Sequence, residues 1–559
     1  MISKINFKNY KGFKSAELDL KPITLLLGAN STGKSSIIQL LLMIAQTVNY
    51  DKPYKSALRL NGDLVRLGEF ENIFHNKNTS NPIELEIQLP NFSTRRIWQN
   101  LKYSIEDIYF SLEKINALLE GKESRTRVSN SVIYKSRSVK HGDTEIYNEF
   151  LSELPKIKRK INSKLKNTDP NIAEEIVTRY FRNPRNRRIR DSIYNKSVNK
   201  IIITFDHLKC AYSYLNSLES ISDESYVLSY RIKLNKKDSK LDVDKLSINT
   251  ISGQNILTYS YDRVQRGKHH NLTSDFIEEK TLDKYRSKFG NKILFEGLQM
   301  KRKNSASNSN EDLFIHNLYA IFYESISNMD SEFDYDKINY VSPLRAFPKR
   351  YYFLDDVIVT NSLNSIDGNQ LAEVLHENSE IKKKVNNWLE NFKLKVSVSQ
   401  LKDVIHNIRI SQAGLNLDIT DVGFGLSQIL PIIVQGFLSE DNSLTIIEQP
   451  EIHLHPRMQA ELADLFIDIV KKKSDFEIGK SLLIETHSEY LLKRLRRRMA
   501  EGKIDPNDVA IYFIHSRDKE NKLPRLKEIK ISETGSFDWP SDFYIDDLQD
   551  TMAFLKHQK

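Results

Sequence analysis

The stretch GANSTGKSS, residues 28–36, constrains this chain of 559 residues more than any other feature. It follows the apolar run ITLLLG and precedes IIQLLLMIAQT, which has the pattern of an amphipathic helix. A glycine-rich loop between a buried strand and a helix directs backbone N–H groups and the positive end of the helix at a phosphate. A glycine-containing turn without a ligand is the alternative reading of this stretch alone.

The side chains of this loop suit a nucleotide with magnesium. Lys34 is long enough to reach the β- and γ-phosphates, and the Ser35 hydroxyl suits Mg²⁺. The loop fits G-x-x-x-x-G-K-[ST], and its candidate nucleotide-binding residues are Gly28, Asn30, Ser31, Thr32, Gly33, Lys34, Ser35 and Ser36.

Composition indicates a folded cytoplasmic protein. The single cysteine, Cys210, excludes an internal disulfide and fits a reducing compartment. No run reaches the roughly 18 apolar residues of a membrane span, and the first residues lack the apolar core of a signal peptide. We therefore expect no membrane association.

The apolar runs divide the chain into three parts. The runs LTIIEQ, SLLIET and VAIYFIH predict buried strands of a parallel sheet with helices on both faces. Residues 1–95 and 336–559 are therefore predicted to be two halves of one nucleotide-binding α/β head. Residues 96–335 are predicted to be a long, basic, α-rich insertion, with a helical arm and a strand-containing part.

Two further polar residues follow buried strands. Glu448 ends LTIIE and suits the magnesium side of a nucleotide site, whereas His487 follows SLLIET and can sense a γ-phosphate. With the phosphate-binding loop, these make three strand-end elements in one chain. Together they predict a site for a nucleoside triphosphate with magnesium.

These motifs resemble those of ATP-binding-cassette-type ATPases of the group that includes RecF, Rad50, the SMC proteins and the overcoming-lysogenization-defect proteins. The motifs EQPEIHLHP and GFGLSQILP are most similar to those of stand-alone bacterial AAA-type ATPases. Several of those serve in antiphage defence, including the ATPases of Septu-type and retron-associated systems. The resemblance covers roughly residues 1–90 and 335–559 and implies ATP and Mg²⁺ as cofactors. It also implies two heads that sandwich two ATPs, in a homodimer or a higher even-numbered assembly.

The resemblance assigns DVGFGLSQILPIIVQG (421–436) to the signature segment, which contacts the γ-phosphate held by the opposite subunit. Such contact requires glycines for close approach and a hydroxyl, here Gly423, Gly425 and Ser427. A glycine-containing turn before a buried helix is the alternative. Glu448 corresponds to the magnesium-side acid, and His487 to the switch histidine.

One departure from many relatives concerns hydrolysis. They have Asp followed by Glu, the general base, whereas this chain has Glu448 followed by Gln449. An amide can orient water but cannot accept its proton as a carboxylate does. We therefore expect Gln449 to position water, Glu451 to accept the proton, and hydrolysis to be slow.

Charge is concentrated in the insertion. Residues 121–200 contain 20 Lys and Arg against 9 Asp and Glu, and the run RNPRNRRIRDS includes Arg185, Arg187, Arg188 and Arg190. Arginine suits phosphate contacts, so this run is a candidate nucleic-acid or partner surface. A solvated helical arm is the alternative. SPLRAFPKRYY (342–352) is also basic, and either a phosphate contact or a solvated turn explains it.

No nuclease centre is evident in the sequence, which lacks a clustered-histidine motif and a C-terminal Toprim segment. We therefore expect the ATPase to act as a sensor or scaffold for a separate effector, such as an HNH nuclease, in antiphage defence. The alternative is a DNA-binding clamp of the SMC or RecF kind, in DNA repair or chromosome maintenance.

Overall fold

The computed structural model describes residues 1–50, 56–102, 144–166, 205–264, 267–303, 313–353, 369–402, 405–472, 479–515, 525–539 and 552–557, with a few isolated positions between them. Helices and strands are numbered along the chain within these residues.

A six-stranded sheet forms the centre of the head. In spatial order its strands are β11 (Ile338–Val341), β16 (Leu444–Glu448), β17 (Ser481–Glu485), β3 (Ile23–Gly28), β18 (Val509–His515) and β19 (Arg525–Ile529). The first five are parallel, and β19 pairs antiparallel with β18. Because β3, β16 and β17 are buried at every residue, they read as continuous apolar runs.

Helices cover both faces of this sheet. Leu26 of β3 packs in one core with Ile37 and Ile38 of α1 (Lys34–Val48). Leu25 and Leu27 face a second core, which includes residues from helices α8 (Phe424–Leu438), α9 (Pro456–Val470) and α10 (Glu489–Ala500). Successive residues of a strand point to opposite faces, which explains this division. The predicted class, an α/β ATPase head with a mostly parallel sheet between helices, is confirmed.

A seven-stranded antiparallel sheet lies beside the central one. Its strands in order are β2 (Phe13–Asp19), β1 (Lys4–Tyr10), β4 (Ile83–Leu89), β5 (Tyr226–Asn235), β6 (Lys240–Thr250), β7 (Asn255–Val264) and β8 (Gly267–Thr273). Strands β5 to β8 come from the insertion and extend the sheet that the first residues begin. The domain boundaries at residues 95 and 335 stay a prediction. This sheet contains strands from both sides of residue 95.

The described part of the insertion also contains helices and a hairpin. These are α2 (Thr144–Lys166), α3 (Phe205–Ser217), α4 (Glu279–Lys292), β9 (Ile293–Glu296), β10 (Gln299–Arg302) and α5 (Leu313–Glu332). Leu154 of α2, Tyr214 of α3 and Phe314 of α5 join the same core as α1. The helical and the strand-containing parts thus pack against the head.

A smaller lobe precedes the signature segment. It contains β12 (Tyr352–Phe353), α6 (Asn369–Glu377), α7 (Ser379–Glu390), β13 (Leu394–Lys402), β14 (Ile405–Gln412) and β15 (Leu415–Asp418). Its helices pack in the second core with α8. In the described ranges, no helix is both long and apolar enough to cross a membrane.

Candidate nucleotide-binding site

The phosphate-binding loop joins β3 to α1. Gly28 has φ of 144°, and a Cβ there would lie 2.5 Å from the carbonyl oxygen of Ile514, so only glycine fits. Gly33 precedes α1 with φ of 119°, and no side chain caps the helix. The Ser36 N–H donates to the Gly33 carbonyl oxygen at 3.0 Å, and the N–H groups of Lys34 and Ser35 before it are left for a ligand.

Lys34 lies within this loop. Its Nζ donates hydrogen bonds to the carbonyl oxygens of Gly28 at 3.0 Å and Ala29 at 2.9 Å. It also lies 3.7 Å from Oε1 of Glu485. Burial lowers the pKa of Lys34, and the nearby carboxylates of Glu485, Glu451 and Glu448 oppose this shift. The ammonium thus has acidic partners that keep it charged.

Two carboxylates end adjacent strands at this edge of the sheet. Glu448 of β16 and Glu485 of β17 are paired in register, and both are buried. Tyr340 Oη donates to Glu448 Oε1 at 2.6 Å, and Ser35 Oγ donates to Glu485 Oε2 at 3.2 Å. Burial raises the pKa of both carboxyls. Sequence reasoning missed Glu485, although SLLIE repeats the pattern of LTIIE.

These oxygen groups fit a magnesium ion. Mg²⁺ prefers carboxylate and hydroxyl oxygens. Ser35 and Glu448, the residues expected from the sequence, lie beside Glu485, which adds a third oxygen donor group.

Glu451 links the turn after β16 to the two residues that follow β17, Thr486 and His487. Its Oε1 accepts the backbone N–H of His487 at 2.7 Å, and its Oε2 accepts the Thr486 hydroxyl at 2.8 Å. Burial raises the pKa of Glu451, and these hydrogen bonds oppose the rise. Thr486 is a further residue of the site that the sequence did not indicate.

His487 is neutral in this environment. Burial lowers its pKa to about 4, with a further contribution from the charge of Lys34. Its Nε2 is buried and has no hydrogen-bond partner. The imidazole therefore has one ring nitrogen that is available to hydrogen-bond a ligand.

Gln449 and Arg345 shape the turn after β16. Gln449 has φ of 45°, and its N–H donates to the carbonyl oxygen of Glu485 at 2.7 Å. Arg345 Nη2 donates to the carbonyl oxygens of Glu448 at 2.8 Å and Gln449 at 3.3 Å. This arginine belongs to the basic segment 342–352.

The signature segment opens α8, with Gly423 before the helix and no side-chain cap. A Cβ on Gly425 would lie 2.5 Å from the carbonyl oxygen of His453, so the helix starts in close contact with the HLHP segment. Ser427 is only 4% exposed, and its Oγ donates to the Phe424 carbonyl oxygen at 2.7 Å. Its role toward a nucleotide stays a prediction.

His455 caps α9, because its Nδ1 accepts the backbone N–H of Arg457 at 3.3 Å. Four candidate contact residues lie outside the described residues: Arg185, Arg187, Arg188 and Arg190.

The fold and the site together define a nucleotide-binding ATPase head. The chain belongs to the AAA_15 family of AAA ATPase domains, whose family model matches residues 1–492. The comparison with curated proteins found no match.

Solved structures of SMC head domains are similar to this chain. The SMC head domain from Thermotoga maritima is 8% identical, with a TM-score of 0.31, and the match covers 95% of this chain and 99% of that one. The Smc head domain from Pyrococcus furiosus, with an extended coiled coil and bound to the C-terminal domain of ScpA, is 9% identical, with a TM-score of 0.32 and 99% of each chain covered.

Proposed function

We propose that this chain is a slowly hydrolysing ATPase that works as a dimer and controls a separate effector protein. The observation that supports this best is the convergence of Lys34, Glu448, Glu451 and His487 at the carboxyl ends of β3, β16 and β17. In open α/β sheets, ligands bind at this edge.

The phosphate chain would bind to the loop N–H groups, the start of α1 and Lys34. Ser35, Glu448 and Glu485 would hold Mg²⁺, which when bound supplies charge neutralisation on the phosphate oxygens. Lys34 would exchange its hydrogen bonds to Gly28 and Ala29 for phosphate oxygens. The Lys34 ammonium is therefore hydrogen-bonded both with and without a nucleotide.

Glu451 would accept the proton of the attacking water, which Gln449 orients. Burial supports this role, because it raises the pKa and makes the carboxylate a better base. However, Thr486 and the N–H of His487 already donate to Glu451, which weakens its basicity. We therefore expect slow turnover, as in a switch that stays closed on ATP.

Dimerisation would bring the start of α8 to the nucleotide of the partner subunit. Gly423 is exposed, and the helix N-terminus has no side-chain cap, so its N–H groups suit a phosphate. The Ser427 hydroxyl would contribute only after leaving the Phe424 carbonyl. Backbone groups are therefore expected to make most of this contact.

The effector would be a nuclease such as an HNH protein, and the setting antiphage defence, as the family resemblance of the motifs suggests. The alternative is a DNA clamp, which the excess of 20 basic over 9 acidic residues in 121–200 favours. A clamp binds DNA by itself, in an ATP-dependent manner, and with an affinity that falls steeply with salt. A scaffold needs its partner for any nuclease activity.

Turnover and assembly state test the ATPase part of the proposal. We expect slow hydrolysis by the wild type, none by Lys34→Ala, and ATP-dependent dimers by light scattering. Rapid turnover that persists in Glu451→Gln would remove the assigned base, and a monomer at saturating ATP would contradict the sandwich. DNA titrations at several salt concentrations, and affinity purification from the native host with and without ATP, distinguish the clamp from the scaffold.

A further inference from the structure

Arg345 has hydrogen-bonding capacity that the protein does not use. The side chain is only 5% exposed, and Nη2 bonds the carbonyl oxygens of Glu448 and Gln449. Its Nε and Nη1 are buried without a partner. Buried donors are nearly always paired, and a charged one left open is strongly disfavoured. An oxygen ligand is the simplest explanation for these open N–H groups.

The charge of Arg345 is only partly balanced, because Glu451 interacts with it without forming a close ion pair. No carboxylate among the described residues forms an ion pair with it. Burial lowers its pKa to about 10, which still leaves the guanidinium charged at neutral pH. The group therefore favours an anion rather than a neutral acceptor.

The position of Arg345 relates it to the phosphate-binding loop. It follows β11, which is parallel to β16 and adjacent to it, so it lies at the edge of the sheet where β16, β17 and β3 end. Glu451 interacts electrostatically with both Arg345 and Lys34. The two cations therefore lie near the same carboxylate, at the same edge of the sheet.

We propose that Arg345 donates hydrogen bonds from Nε and Nη1 to the terminal phosphate of the bound nucleoside triphosphate. Through Nη2 it would link that phosphate to the Glu448–Gln449 turn, which carries the magnesium-side acid and the water-orienting amide. Guanidinium groups suit phosphate oxygens because they present several donors in one plane. This inference rests on the proposed function, since it names a further contact of the same ATP site.

The test compares nucleotides with and without the terminal phosphate. Arg345→Met keeps much of the side-chain length but removes every donor. We expect the dissociation constant of a non-hydrolysable ATP analogue to rise on the order of 10- to 100-fold. The ADP dissociation constant should stay unchanged. Calorimetry with Mg²⁺, at protein concentrations where the wild type is monomeric, gives both values.

Arg345→Lys and Arg497→Met complete the design. Lysine keeps the charge without the planar donors, so it should recover part of the preference for the ATP analogue, and it replaces the methionine variant if that variant does not fold. Arg497, an exposed arginine of α10 paired with Glu501, is the control and should have no effect.

An equal loss of affinity for both nucleotides would overturn the proposal, because it would mean that Arg345 only supports the turn. Unchanged affinity for both would also overturn it, since water alone would then satisfy the open donors. If the wild type binds neither nucleotide, or Lys34→Ala binds ATP as tightly as the wild type, the proposed function itself fails.

Discussion

Replacing Gly425 with alanine tests how closely the signature helix α8 approaches the segment after β16. The new Cβ would lie 2.5 Å from the His453 carbonyl oxygen and 3.3 Å from Cδ2 of Leu454. The first of these contacts is to backbone, which cannot rotate away. The contact must therefore open by roughly 1 Å to reach an ordinary separation.

The expected magnitude follows from two opposing effects. Overpacking in a close contact costs about 1–3 kcal/mol. Alanine in place of glycine within a helix gains about 0.5–1 kcal/mol. The net range is about 0–2.5 kcal/mol, so we expect Gly425→Ala to lower the free energy of unfolding by about 1 kcal/mol. The shift also moves the start of α8, so ATP-dependent dimerisation should weaken.

Gly423→Ala is the matched control for stability alone, because a Cβ at Gly423 has no atom of this chain within 4 Å, whereas Gly423 is itself a candidate contact for the partner's nucleotide. It should change the free energy of unfolding by no more than about 0.5 kcal/mol. Denaturant unfolding of the two variants beside the wild type gives the stability difference, and light scattering with ATP gives the dimer fraction. The reasoning is refuted if Gly425→Ala stabilises the protein by about 0.5–1 kcal/mol, as an unhindered substitution in a helix would.

Three further predictions concern the strand-end residues. Glu451→Gln should lower turnover at least about 100-fold while ATP binding persists, because the amide cannot accept the proton and keeps only one of the two hydrogen-bond acceptors; unchanged turnover would point to another base. Burial lowers the pKa of His487 from 6.5 to about 4, so its ring resonances should stay constant between about pH 5.5 and 7.5 in NMR spectra assigned with His487→Gln. Below about pH 6.5 His487 binds a proton in the unfolded chain but not in the folded chain, so its contribution to stability falls as the pH drops. An NMR titration midpoint near 6.5 would show that the ring is exposed. Tyr340→Phe removes the hydrogen-bond donor to Glu448, and this loss raises the pKa of the carboxyl further. A calorimetric titration should therefore show that ATP binding requires more Mg²⁺, most clearly at acid pH. An unchanged Mg²⁺ requirement would show that Glu448 does not bind the metal.

Local patterns could predict only the parts of the site that lie next to an apolar run. The phosphate-binding loop, Glu448 and His487 each follow a strand that is buried at every residue, and such a run is visible in the sequence. Their meeting at one edge of the sheet follows from a parallel arrangement. The α/β class was therefore predictable.

The supporting contacts were not predictable, because they join residues far apart in the chain. Tyr340 and Glu448 are 108 residues apart, and Ser35 and Glu485 are 450 apart. The strand order decides these contacts, and no local pattern contains it. Similarly, the strand pattern of residues 226–235 was visible, but its pairing with β4 was not.

Two residues that the sequence identified already use their polar atoms in hydrogen bonds within the protein. Ser427 stands in the expected segment, yet its hydroxyl is bonded within its own helix. Glu451 stands three residues after Glu448, and both of its oxygens already accept hydrogen bonds. Sequence identifies such residues, but the folded environment decides how freely they can act.

A calorimetric titration of wild type and Lys34→Ala with Mg²⁺ and ATP tests the central claim most directly, namely that Lys34 and its neighbouring carboxylates form one triphosphate site. We expect saturable binding by the wild type, and stabilisation of about 2.7 kcal/mol at an ATP concentration 100 times the dissociation constant. Lys34→Ala should fold and lose most of this binding. A folded Lys34→Ala protein that binds ATP as tightly as the wild type would contradict the claim.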